Sequence, residues 1–134
     1  MKIREILSPA SVQADLKATS KEGVIAELAL LLAESHQNLS QENLIRVLME
    51  REKLGSTGIG NDVAIPHGKL SGLDHIVAGF GRSQKGVPFE AQDGKPPHLF
   101  FILVAPENAA SLHLKALARL SRLLKDSHFR GKLM

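Results

Sequence analysis

Cysteine, tryptophan and tyrosine are absent from this chain of 134 residues. The lack of cysteine excludes disulfides and thiolate metal sites. Five phenylalanines offer few rings on which nucleic-acid bases could stack, which disfavours a single-stranded nucleic-acid partner. No apolar run approaches the roughly 20 residues of a membrane span. The N-terminal residues also lack the apolar core and cleavage site of a signal peptide. We therefore expect no membrane insertion and a cytoplasmic location.

An excess of charge of either sign is also lacking. The formal net charge is +3, with 17 Lys and Arg against 14 Asp and Glu. The basic residues are spread along the chain, so an acidic protein or a phosphate group suits this field at least as well as nucleic acid does. Hydrophobic residues make up 43% of the chain, as in ordinary globular proteins, and the length suits one domain over residues 1–134.

Hydrophobic periodicity predicts both strands and helices. Predicted helices cover a short turn at residues 3–7, then 19 to about 36–38, 40 to about 54 and 108 or 111 to about 126, with a last short element over 127–134. Predicted strands cover residues 11–16, 63–65, 76–80 and 99–104. Residues 99–104 form the most continuous apolar run and the best candidate for a central strand. Helices that flank apolar strands indicate an α/β fold with a mixed sheet.

Helix start and stop signals support these elements. Thr19 and Glu22 have the spacing of a capping box, and Ser40 is a second candidate N-cap. Gly55 is well placed as the left-handed stop of the helix that begins at Ser40. In the last long helix, four leucines are expected to face the core: Leu114, Leu117, Leu120 and Leu124.

A glycine-rich stretch over residues 55–69 holds four glycines and one histidine. Gly55 and Gly60 have the spacing of a Walker phosphate-binding loop, but Asn61 and Asp62 follow instead of Lys and Ser or Thr. A dinucleotide-binding fingerprint needs its glycines directly after a strand, whereas these follow a predicted helix. The sequence therefore disfavours a nucleotide site and predicts no nucleotide cofactor.

His67 is the candidate nucleophile of this stretch. Pro66 fixes the direction in which the chain enters, and Gly68 leaves room for a bulky group to approach. A neutral imidazole is nucleophilic near pH 7. If one ring nitrogen donates to a backbone carbonyl, the other keeps its lone pair. The alternative is a histidine that only completes a turn.

A phosphoryl group on His67 would need hydrogen-bond donors. Arg51 comes from the helix before the loop and offers a guanidinium fork suited to phosphate. His113 opens the helix after the predicted central strand, where the helix field favours an anion. The remaining candidates are loop groups with hydroxyls or free amides: Ser56, Thr57, Gly58, Ile59, Gly60 and Asn61. The alternative for Ser56 and Thr57 is that their hydroxyls simply cap the turn. Taken alone, Arg51 also suits a solvated helix end and His113 a surface histidine.

Metal chemistry is not indicated. The other histidines are His36, His75, His98 and His128. They lack the spacing of a zinc-binding motif, so we expect no metal site. The chain also lacks the serine elbow of a hydrolase.

Two segments carry a family resemblance. Residues 51–61 read Arg-Glu-Lys-Leu-Gly-Ser-Thr-Gly-Ile-Gly-Asn, and residues 64–69 read Ala-Ile-Pro-His-Gly-Lys. They closely resemble the type-2 enzyme IIA domains of the phosphoenolpyruvate-dependent phosphotransferase system. The resemblance is to the fructose/mannitol class, and the residues of these segments are most similar to those of the nitrogen-regulatory members. Residues 112–114, after a strand that ends in Val-Ala-Pro, also look like this family, so the resemblance spans essentially the whole chain.

This resemblance implies a sheet with helices on both faces. It also implies that His67 is phosphorylated by a histidine-phosphorylated HPr-like carrier protein, with Arg51 and His113 assisting at the phosphate. Sugar-transport members pass the phosphoryl group to a IIB domain. Nitrogen-regulatory members act mainly by binding target proteins in a phosphorylation-dependent way, and a binding-only module is a third possibility.

The chain departs from the family pattern at two places. Asp62 stands where a small residue is usual, which puts the loop conformation in doubt. The chain also stops at Met134, where relatives typically continue through another helix. Either this is a shorter member or a C-terminal piece is missing.

Overall fold

The computed structural model describes residues 7–36 and 39–134. The strands in these ranges are β1 (Leu7–Gln13), β2 (Gly58–Gly60), β3 (Val63–Ala64), β4 (His67–Leu70), β5 (Val77–Arg82) and β6 (Leu99–Pro106). The helices are α1 (Lys21–Ser35), α2 (Gln41–Glu52), α3 (Ala110–Leu124) and α4 (Ser127–Leu133). None of the helices in the described part of the chain is long and apolar enough to span a membrane.

The six strands form one mixed sheet. Its order is β1-β5-β6-β3-β2, and β4 also pairs with β6. Strand β6 runs antiparallel to β5 on one side and parallel to β3 and β4 on the other. Two short strands thus share one edge of β6, with Ile65 and Pro66 as the joint between them. This joint places His67 directly beside Leu103 near the middle of the sheet.

Strand β6 is the centre of the fold because it is buried on both faces. Phe100, Ile102 and Val104 belong to the core beneath α1 and α2. The alternate residues belong to the cores packed against α3 and α4: Leu99, Phe101, Leu103 and Ala105. The predictions of a mixed α/β fold, helices on both faces and a central strand at residues 99–104 are therefore confirmed.

The N-terminal strand differs from the prediction. The turn predicted over residues 3–7 lies outside the described residues except for Leu7, which begins β1. The predicted strand at 11–16 is wrong in its bounds, because β1 pairs with β5 from Leu7 to Gln13. The Ser8-Pro9 pair was taken as a helix stop, but β1 is an edge strand. An edge strand tolerates a proline that donates no ladder hydrogen bond.

Two of the predicted helix signals shift by a short distance. The N-cap of α1 is Ser20 and not Thr19, because the Ser20 hydroxyl accepts the Gly23 amide at 3.1 Å. Ser40 caps α2 as predicted, accepting from the Asn43 amide at 3.3 Å. Helix α2 ends at Glu52, and Gly55 lies beyond the C-cap Lys53 with a φ of +146°.

The leucine stripe of α3 is wrong at its first position. Leu120 and Leu124 are buried, and Leu117 packs partly against the core. Leu114 is 68% exposed, and His113 and Ala116 occupy the buried face of the first turns instead. The N-terminal turn of α3 therefore lines a cavity rather than the core.

Gly58 is required by packing against a neighbouring loop. A Cβ at this position would come 2.7 Å from the Cβ of Ala91 and 2.9 Å from its Cα. We expect Gly58→Ala to lower the free energy of unfolding by about 1–3 kcal/mol, because the Ala91 backbone must shift. Urea denaturation measures the loss.

Gly131→Ala is the matched control for this substitution. Gly131 lies in α4, and a Cβ there meets nothing within 4 Å. Alanine at a helical site of this kind is expected to add roughly 0.5–1 kcal/mol. Equal stability changes for the two variants would show that the contact with Ala91 does not matter.

Candidate active site

A cavity of about 470 Å³ opens between the C-terminal turn of α2, strand β4 and the N-terminal turn of α3. Its lining residues come from these three elements and from the turn after α2: Val47, Glu50, Arg51, Leu54, His67, Gly68, Lys69, Ala110, His113, Leu114 and Leu117. The structure thus brings together Arg51, His67, Gly68 and His113, four of the residues singled out in the sequence.

Both ring nitrogens of His67 have defined partners. Nδ1 lies 2.8 Å from the carbonyl oxygen of Ile65, so this nitrogen carries the proton and donates it. In this tautomer Nε2 has a lone pair, and it accepts a hydrogen bond from Nε of Arg51 at 3.2 Å. The ring is half-buried and borders the cavity. The geometry leaves Nε2 as the nucleophilic atom.

The surroundings keep this ring neutral. Burial is the main cause that lowers the pKa of His67 below its ordinary value of 6.5, and the charge of Arg51 lowers it further. The hydrogen bond to Ile65 and the charge of Glu52 act in the opposite direction but do not cancel the shift. A neutral imidazole at pH 7 is the form that can attack an electrophile.

Arg51 is anchored from two sides. Its Nη1 donates to the carbonyl of Gly55 at 2.8 Å, while its Nε points at His67. The first bond follows from the short span between the last turn of α2 and the start of the loop. It fixes the guanidinium over the cavity, so the side chain has little conformational entropy left to lose when a ligand binds.

His113 lies in the first turn of α3 and is buried, with 5% of its surface exposed. Its ring centroid is 5.6 Å from that of His67, at an interplanar angle of 74°. Burial is the main cause that lowers the pKa of His113 to about 4, and repulsion from His67, when that ring is protonated, and from Lys69 lowers it further. Its Nε2 is buried and has no hydrogen-bond partner within the described part of the chain. Such atoms are rare in folded proteins, and this one belongs to a residue that lines the cavity.

Sequence reasoning missed Lys69 as a cavity residue. Side chains alternate along a strand, so Lys69 lies on the same face of β4 as His67. It is exposed and lines the cavity, and its charge acts on His113. The alternation of side chains along β4 is the signal that could have identified Lys69 from the sequence. The apolar lining from Leu54 and Leu114 had no such signal.

The loop hydroxyls predicted to serve a phosphate are engaged elsewhere. The Ser56 hydroxyl donates to the carbonyl of Phe89 and accepts from the Gly58 amide. Thr57 is buried, and its hydroxyl and amide both donate to the carboxylate of Glu52. Neither side chain is among those that line the cavity.

The rest of the predicted loop is a β-hairpin. Strands β2 and β3 pair antiparallel around a turn at Asn61 and Asp62, which have φ of 56° and 70°. The cavity lining includes none of the loop residues Gly58, Ile59, Gly60 and Asn61. The Asp62 carboxylate lies 3.2 Å from Nδ1 of His98 and is likewise outside the cavity lining.

Within residues 7–36 and 39–134, no group of three or more His, Cys, Asp and Glu side chains is placed to hold a metal ion. His75 and His98 each contact a single carboxylate, those of Asp74 and Asp62 respectively. The charged and titratable side chains that line the cavity are the imidazoles of His67 and His113, the cations of Arg51 and Lys69 and the carboxylate of Glu50.

Known proteins resemble the chain over nearly its full length. The nitrogen regulatory protein of Bradyrhizobium diazoefficiens is 45% identical over 134 residues, which cover 99% of this chain and 86% of that protein. The fructose-specific EIIABC component of Bacillus subtilis is 37% identical over 134 residues, covering 100% of this chain but 21% of that protein. These relatives confirm the resemblance drawn from the two sequence segments.

The same assignment comes from structure and from the family pattern. The crystal structure of nitrogen regulatory protein IIA-Ntr from Neisseria meningitidis superimposes with a TM-score of 0.91 and 41% identity, covering 97% of this chain and 88% of that chain. Residues 5–134 match the family described as "Phosphoenolpyruvate-dependent sugar phosphotransferase system, EIIA 2". Members of this family are phosphotransfer components, and the chain belongs to this EIIA 2 family.

Proposed function

We propose that His67 accepts a phosphoryl group on Nε2 from a histidine-phosphorylated, HPr-like carrier protein. One observation carries the assignment: Nδ1 is bound to the Ile65 carbonyl at 2.8 Å, and Nε2 faces Arg51 at 3.2 Å. In the other tautomer the Nε2–H would face the donor of Arg51, and the Ile65 carbonyl would lose its donor. Membership in the EIIA 2 family supports the reaction type.

The transfer is an in-line displacement between two imidazoles. The lone pair of Nε2 forms the new N–P bond while the N–P bond of the carrier breaks. The electron pair of the broken bond stays on the carrier's ring nitrogen. The proton stays on Nδ1 and continues to donate to the Ile65 carbonyl, so His67 does not have to lose a proton during the step.

Three side chains stabilise the added negative charge. Arg51 supplies a guanidinium that already points at Nε2, and Lys69 supplies a second cation from the same strand face. His113 supplies its ring N–H when neutral, and its Nε2 has no other partner within the described residues. These groups also stabilise the transferring group, because its charge develops between the two rings.

The downstream role proposed here is regulatory. The phosphorylated and unphosphorylated forms differ by close to two negative charges at a cavity with an apolar rim, which is enough to change how a target protein binds. The 45% identity to a protein named nitrogen regulatory protein supports this role. The 37% identity to part of a fructose-specific component favours a second candidate, transfer to a IIB domain.

The phosphorylation site is tested by labelling with phosphoenolpyruvate, enzyme I and an HPr-like carrier. We expect one acid-labile phosphate, located on His67 by mass spectrometry, and none on His67→Ala. His98→Ala is the control, because His98 lies outside the cavity lining and this variant should be labelled like the unchanged chain. A label on another histidine would overturn the site, and no label would leave a binding-only module.

Two further incubations separate the downstream candidates. The labelled chain is mixed with a IIB domain, and loss of the label to that domain indicates transport. Retention of the label, with a change in affinity for a target protein on phosphorylation, supports regulation.

Arg51→Lys tests the role of the guanidinium. Lysine keeps the charge but lacks the rigid fork with which Arg51 donates to His67 from Nε and to Gly55 from Nη1. We expect the rate constant for phosphorylation to fall on the order of 10-fold or more. Arg46→Lys is the control, because Arg46 is an exposed residue of the same helix, 3.8 Å from Glu50. Rapid-quench kinetics measure both, and equal rates would exclude Arg51 from the transfer.

The pH dependence tests whether the acceptor is neutral. The pKa of His67 lies below 6.5, so the reactive form predominates above that value. We expect the phosphorylation rate to change little at neutral and mildly alkaline pH and to fall in acidic solution with a midpoint below 6.5. Loss of phosphate from the carrier alone is measured in parallel. An acid limb with a midpoint above pH 6.5 would contradict a neutral His67.

A further inference from the structure

Glu52, the residue after Arg51, is a buried carboxylate whose side chain is 2% exposed. It accepts the Thr57 amide at 3.2 Å and also the Thr57 hydroxyl. Lys21 comes from α1, and its Nζ lies 3.1 Å from the same carboxylate and 4.8 Å from the ring centroid of Phe89. Removing a carboxylate from water costs several kcal/mol unless hydrogen bonds and a counter-ion offset it. Two donors of one residue and one cation provide the offset here.

Thr57 transmits this anchoring to the reactive ring. Its carbonyl accepts the Ile65 amide at 3.0 Å. The carbonyl of Ile65 is the acceptor that holds Nδ1 of His67. One continuous path therefore leads from the Glu52 carboxylate through the backbone of Thr57 and Ile65 to the imidazole.

The same anchor reaches Arg51 through the turn that follows α2. The Gly55 amide donates to the Glu52 carbonyl at 3.1 Å, and the Gly55 carbonyl accepts Nη1 of Arg51 at 2.8 Å. Fixing Glu52 and Thr57 at the two ends of this turn limits the positions open to Gly55. Both members of the hydrogen bond at Nε2, the His67 ring and the Arg51 guanidinium, thus depend on one clamp, the contact between Glu52 and Thr57.

We propose that Glu52 and Thr57 are positioning residues, which hold the carbonyls of Ile65 and Gly55 and so fix the tautomer of His67 and the guanidinium of Arg51. Neither side chain touches the phosphoryl group. The inference rests on the proposed function for its kinetic consequence but not for its structural one. The tautomer exists whether or not the chain is phosphorylated.

Thr57→Val tests the clamp without changing any charge. It removes the hydroxyl bond to Glu52 and keeps the shape of the side chain. We expect the ¹⁵N chemical shifts of His67 to show a population of the Nε2–H tautomer, where the unchanged chain shows Nδ1–H alone. The kcat of phosphorylation should fall about 10- to 100-fold, because the lone pair is misplaced, while KM for the carrier changes little.

Two control variants accompany it. Thr57→Ser keeps the hydroxyl and should retain the Nδ1–H tautomer and most of kcat. Ser83→Ala deletes another buried hydroxyl, 4% exposed and bonded to the Gly86 amide, away from the cavity lining. It should lower stability without affecting the His67 shifts. A Thr57→Val spectrum identical to that of the unchanged chain would overturn the proposal.

Glu52→Gln is the second variant and carries the test if Thr57→Val does not fold. It removes a charge that raises the pKa of His67, so a purely electrostatic role predicts a lower pKa with the tautomer unchanged. The clamp predicts a mixed tautomer as well. If the unchanged chain is not phosphorylated, the proposed function fails, while the tautomer shifts still decide the inference.

Discussion

The hydrogen bond from Nδ1 of His67 to the carbonyl of Ile65 determines which ring nitrogen can react. A neutral imidazole has one N–H and one lone pair, so a fixed donor on one side leaves a fixed acceptor on the other. The Ile65 segment is itself held on both sides, because Thr57 accepts its amide at 3.0 Å and the Leu103 amide donates to Pro66 at 3.0 Å. The chemistry of the cavity thus depends on a backbone carbonyl at the joint between two short strands.

Burial and charge set the second condition of the site. The two facing histidines both have lowered pKa values, so they remain neutral beside the cations of Arg51 and Lys69. The cost is visible at His113, whose buried Nε2 has no partner within the described residues. An unpaired buried polar atom destabilises a fold by about 1–3 kcal/mol. In the phosphorylated form proposed above, the phosphoryl oxygens would accept from this ring and would offset the charges of Arg51 and Lys69.

The sequence predicted the fold class and the central strand well, because β6 is a continuous apolar run. Chain position made Arg51 and His113 candidates, the family resemblance implied that they assist at His67, and the structure places all three at one cavity. The hydroxyl of Thr57 was a candidate for the phosphate, but it donates to Glu52, which is five residues earlier in the chain. Hydrophobic periodicity does not show that the chain bends back between these two residues. Leu114 was assigned to the core because its spacing fits the stripe, but the first turn of α3 lies over a cavity. In both cases the fold of the chain determines which groups the side chain meets, and the periodicity of the sequence does not show this.

The edges of the sheet bear on how another protein can be recognised. Within the described residues, β1 is an edge that contains Pro9, while β2 and β4 are only three and four residues long. A strand that adds to a sheet needs a long edge with free donors and acceptors, and short or proline-containing edges discourage this. A strand from a partner would therefore find few free backbone donors and acceptors at these edges with which to extend the sheet. The exposed surface beside the cavity is instead made of side chains: Leu54, in the turn after α2, and Leu114, in α3, are 85% and 68% exposed.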